Sequence, residues 1–145
     1  MPNERTQQTD SDLLAWSDPR AWVVAGLAVV FLALGGFFAA YPIPASVLFG
    51  LPAPENAGLA YIRAIGFRDV ALGLYLLGLQ QWSGRRAVRV VVGASIDIPV
   101  CDVALVVSVM QGAASWQVAV HAAAGLCLAA VWVWLRRPLK SGATS

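Results

Sequence analysis

Four long apolar stretches, separated by short polar or Gly/Pro-rich pieces, dominate the pattern along this chain. Ala21 to Tyr41 is an uncharged run of 21 residues, enough to cross about 30 Å of hydrocarbon at 1.5 Å per residue. A second stretch, residues 57–79, carries Arg63, Arg68 and Asp69, and a third, residues 88–109, carries Asp97 and Asp102. The fourth, residues 115–135, is apolar apart from Gln117 and His121. Connections this short join neighbours antiparallel, which predicts an all-α integral membrane protein: an up-and-down bundle of four transmembrane helices. Residues 1–20 and 136–145 are read as tails. No internal repeat or low-complexity tract interrupts the plan.

Composition agrees with this. The chain has 145 residues, 59% hydrophobic and 12% charged, against roughly 45–50% and 25% in soluble domains. One domain is expected, and so small a globule cannot bury that much apolar surface itself. A soluble bundle is disfavoured because the first and last stretches have no polar face. A cleaved leader ending near Ala39-Ala40 is disfavoured too. Its apolar region would be too long, and Glu4, Asp10, Asp12 and Asp18 make the preceding tail acidic. The net charge of +2 gives no nucleic-acid footprint.

Where the basic residues sit gives an orientation. Arg5, Arg20, Arg85, Arg86, Arg89, Arg136, Arg137 and Lys140 lie on one side, and the first and third connections carry none. Both termini are therefore expected in the cytoplasm, of a bacterial cell membrane if the source is bacterial. Trp16, Trp22, Trp82, Trp132 and Trp134 at the inner ends and Trp116 at an outer end fit the same arrangement.

The informative residues are the charges inside the spans. A central Asp or Arg costs roughly 2.5–3.5 kcal/mol to insert, and each Leu, Ile or Val returns about 0.3–0.6 kcal/mol. The third span has two Asp against twelve Val, Ile and Leu residues, which is near break-even. Its charges are expected to face the bundle interior and to be paired. Counting depth from the outer ends groups Arg63, Asp102 and His121 in an upper layer about 9–10 Å deep. Arg68, Asp69 and Asp97 form a lower layer about 16–18 Å deep. Asp69 shares a helix face with Gly66 and Gly73, where helices approach closely, and His121 lies one turn before Gly125. Arg63 and Arg68 flank the Asp69 face on opposite sides. Pro99 frees a carbonyl near Ser95, so a kink or polar notch is expected there.

Buried Asp groups beside Arg can divide acid and base roles. The expected ligand is a lipophilic small molecule, and the expected chemistry is acid–base work such as epoxide hydrolysis, isomerisation or cyclisation. Arg68, Asp69, Asp97 and Asp102 are the candidate catalytic residues, and Arg63 and His121 the candidate binding residues. The alternative is an accessory or scaffold protein whose Arg–Asp pairs only fix helix register. Proton-coupled transport ranks last, since only Ser95 and Arg89 are polar between Asp97 and the inner end. Asp97, Asp102 and His121 are too scattered for a metal site, and no motif calls for a cofactor. Cys101 and Cys127 read as small buried apolar residues rather than a disulfide. Small drug-export dimers match in size but centre on an acid in the first span, which is absent here. A homo-oligomer is compatible with the sequence.

Several of these residues resemble a known family. Gly50-Leu51-Pro52, the stretch Ile62-Arg63-Ala64-Ile65-Gly66-Phe67-Arg68-Asp69, then Gly73, Asp97, Asp102 and His121 are similar to the membrane family called domain of unknown function 4267, over about Val24 to Leu135. The resemblance implies no activity; it implies that these polar residues are the ones the family shares. In architecture alone the plan also resembles DoxX-like membrane proteins.

Overall fold

The computed structural model describes residues 14–51, 56–110 and 116–137. Six helices make up the described elements: α1 (Pro19–Ala40), α2 (Pro42–Phe49), α3 (Asn56–Trp82), α4 (Arg85–Ala94), α5 (Asp97–Val109) and α6 (Trp116–Arg136). The fold is all-helical, as expected. Three helical stretches are long and apolar enough to cross a membrane: α1, α4 with α5 as one stretch, and α6. The fourth expected span, α3, has the length but carries three charges.

Each boundary has a local cause. Asp18 caps α1 by accepting from the Arg20 backbone N–H at 2.9 Å, and Pro19 occupies the first turn, where no donor is needed. The expected notch before Pro99 is present. The third stretch divides at Ser95-Ile96, where the Ser95 hydroxyl donates to the Val91 carbonyl at 2.8 Å. Helix α2 is a departure from the sequence reading, which took residues 41–56 as a loop. Pro42 and Pro44 both fall in its first turn, where proline is tolerated, so they start a helix instead of breaking one. Gly50 ends it with φ of 98°, a left-handed conformation that suits glycine. Helix α1 begins at Pro19, two residues before the uncharged run, and Leu14 is buried. Residues 1–13, 52–55, 111–115 and 138–145, which include Arg5, Pro52 and Lys140, lie outside the described residues.

The helices form two antiparallel pairs. In one, α1 lies along α3, with the backbone at Gly35 against Gly66 and Val70, and Ala28 and Leu32 against Gly73. A Cβ on Gly66 would sit 2.6 Å from the Gly35 carbonyl oxygen, so only glycine allows this approach. In the other pair, α6 packs on α4 and α5: Trp132 covers Gly93 and Pro99 lies over Gly125.

The pairs join at the end where α1 begins. Leu14, Ala21 and Val24 meet Leu76, Val88, Val92, Leu128 and Leu135 there, and Arg20 lies over the Trp134 ring at 5.9 Å. At the opposite end α2 bridges them, with Phe38, Phe49, Ile62 and Val106 in one cluster. Gly66→Val is expected to destabilise the protein by about 1–3 kcal/mol in detergent unfolding. Gly36→Ala, with nothing within 4 Å of the added methyl, should stay within about 0.5 kcal/mol of wild type.

Candidate functional site

Between the two pairs lies a cavity of about 370 Å³ with walls from every helix except α4. Its lining is apolar except for Arg68, Asp69, Ser95, Asp102 and His121. Arg68 donates from Nε to Asp69 Oδ1 at 3.0 Å, and its Nη2 lies 3.7 Å from Asp102 Oδ2. The same Asp102 oxygen is 3.8 Å from His121 Nδ1. His121 Nε2 lies 3.0 Å from the Phe49 carbonyl oxygen, and its ring meets Phe49 edge-on at 4.8 Å.

These distances fix the hydrogen bookkeeping. A carbonyl oxygen only accepts, so Nε2 carries the hydrogen and donates it to Phe49. Nδ1 is left facing a carboxylate oxygen. Nδ1 and Asp102 Oδ2 are therefore two acceptors turned toward each other, with room for a donor between them. The 3.7 and 3.8 Å contacts are ion-pair distances, longer than hydrogen bonds. Arg68, Asp102 and His121 thus keep bonding capacity for a third group placed beside them in the cavity.

Four of the six residues singled out from sequence come together: Arg68, Asp69, Asp102 and His121. The two layers collapse into one cluster, for a reason that Cα depth ignores. A helical side chain tilts toward its own N-terminus. Arg68 therefore leans toward the α2 end, and Asp102, on an antiparallel helix, leans the other way. The two close the gap in depth between their Cα atoms.

Arg63 and Asp97 stay outside; both are exposed on outward faces. Arg63 precedes Arg68 by five residues, and Asp97 precedes Asp102 by five. Five residues turn a helix through about 140°. Only one member of each pair can face the cavity. Cys101 and Cys127 are likewise exposed rather than buried, and free. Phe49 is the site residue the sequence did not give away, because its contribution is a backbone carbonyl at the end of an unforeseen helix.

Residues 28–135 match the family described as Domain of unknown function (DUF4267). The chain belongs to it. No curated protein and no solved structure matches the chain. The matched DUF4267 region takes in Arg68, Asp69, Asp102 and His121 and most of both helix pairs.

Asp102→Asn removes the charge that Arg68 and His121 share. It is expected to cost up to about 3 kcal/mol, below the full penalty for a broken buried pair because Arg68 keeps Asp69. Asp97→Asn should leave the unfolding of the detergent-isolated monomer unchanged, since that carboxylate is exposed and does not line the cavity.

Proposed function

We propose that the protein is a four-span bundle with both termini in the cytoplasm that binds a lipophilic small molecule in its central cavity and acts on it by acid–base chemistry. One observation carries this reading: in a cavity whose described lining is mostly apolar, Arg68 and His121 converge on Asp102, and Asp69 holds Arg68, with hydrogen-bonding capacity left over. Small-molecule sites combine apolar walls with a few convergent polar groups in this way. Arg68 orients the Asp102 carboxylate, His121 Nδ1 exchanges a proton with it, and Asp69 holds Arg68 in place. Arg63 and Asp97 drop out of the catalytic and binding set. Outward-facing Asp97 instead supports a homo-oligomer in which a neighbour covers it, because a charge facing lipid is costly.

Under this topology α3 is the second span. Its Arg68 and Asp69 are carried by their contacts within the bundle rather than by lipid.

The scaffold reading keeps one specific support. Arg68–Asp102 links the two helix pairs, so the same contact can serve structure alone.

Purification in mild detergent followed by mass spectrometry of co-purified small molecules separates the two. Wild type and Asp97→Asn should retain a lipophilic compound, and Asp102→Asn should lose it while still accumulating. Equal retention, or none in any of the three, would favour the scaffold.

A further inference from the structure

The cavity has closed ends and one apolar side. At the α2 end Phe49 and Leu48 line it, and α2 is tied down over α6 by Gln117 Nε2 donating to the Val47 carbonyl at 3.3 Å and by the His121–Phe49 contact. At the other end the large apolar cluster around Val24, Leu76 and Leu128 fills the space between the pairs. The side between α3 and α5 is crossed by the Arg68–Asp102 ion pair. The side between α1 and α6 has no such crossing. These helices meet at the end where α1 begins, where Ala21 and Val24 share a cluster with Leu128 and Leu135 and Arg20 covers Trp134, and neither packs along the other for its length.

The residues on that side line the cavity and face outward at once. Val30 (52% exposed) and Leu34 (42%) on α1 do so, as do Val120 (48%), Ala124 and Cys127 on α6. Depths match across the gap. From the α2 end, Leu34 and Ala124 lie about 9–12 Å down and Val30 and Cys127 about 15–17 Å down. All five are apolar or nearly so, as a mouth opening into hydrocarbon requires and a mouth opening into water does not.

We infer that the gap between α1 and α6 is a lateral portal through which a single-chain amphiphile with an uncharged, hydroxyl- or carbonyl-type head enters from the bilayer. This rests on the ligand-binding reading of the cavity. The volume lies at the small end of the range for small-molecule sites, about 300–1,000 Å³, which suits one alkyl or isoprenoid chain. Charge and hydrogen bonding together set the head group: an ammonium would be a second cation beside Arg68 with no acceptor to offer it. Arg68 already faces two carboxylates, so a carboxylate head would be a third anion in a space with one cation. A hydroxyl can instead donate to Asp102 Oδ2 and accept from Arg68 Nη2, bridging the long Arg68–Asp102 contact. Its chain then runs along the apolar wall toward Val30 and Leu34.

The test uses full-length protein in liposomes containing hexadecanol with a mid-chain diazirine. Ultraviolet crosslinking is followed by peptide mass spectrometry. Wild type is expected to give adducts inside the cavity, at Phe31 and Ile98, as well as on the outward Phe67 and Leu74. Leu34→Trp and Ala124→Trp, each filling the mouth from a different helix, should lower the cavity adducts roughly tenfold when labelling is kept short. Outward adducts should not change, which also shows that the variants are folded. Cavity adducts that persist in both variants would overturn the portal while leaving the binding site standing. Equal or stronger cavity labelling by the matching carboxylic acid or amine would overturn the uncharged head. Absence of cavity adducts in wild type would sink the binding reading and the portal with it.

Discussion

One ion pair stands between the two halves of this molecule. Arg68 on α3 reaches Asp102 on α5 across the cavity at 3.7 Å, between the apolar clusters that close its two ends. Each half is close-packed within itself, through Gly35 and Gly66 in one and Gly93, Pro99 and Gly125 in the other. Between the halves, packing is restricted to the two ends. The cavity is what remains in the middle, and the ion pair crosses it on the α3–α5 side.

That arrangement explains why the charges are tolerable. An isolated Arg or Asp among apolar helices is expensive, and a pair is cheaper only if its members satisfy each other. Here Asp69 and Asp102 share Arg68, and His121, anchored to the Phe49 carbonyl, faces Asp102 from the other side. In the proposed function the cluster is both a brace and the acid–base group of the site. A brace alone would be best served by short contacts, whereas contacts of 3.7 and 3.8 Å leave capacity for a guest.

Much of this was legible in the sequence. The helices followed from apolar run lengths, the break before Pro99 from its missing donor, and the α1–α3 contact face from Gly66, Asp69 and Gly73. The mistakes have separate causes. Depth along the bundle was read from residue number, but the side chain, not the Cα, makes the contact, and its direction depends on which way the helix runs. That moved Arg68 from the company of Asp97 to that of Asp102, while helical phase, about 140° over five residues, turned Arg63 and Asp97 outward. Helix α2 was missed because prolines that usually end helices here begin one, and with it went Phe49, whose carbonyl holds His121.

The account stands on Arg68 and Asp102 doing two things at once, joining the halves and forming the head of a binding site. A charge exchange separates the two. In Arg68→Asp with Asp102→Arg, the halves can pair again, but the acid facing His121 is gone. The measurement is accumulation in the membrane together with retention of the co-purifying compound, against each single change. The account predicts that accumulation returns and retention does not; return of both would contradict it and leave the pair a purely structural brace.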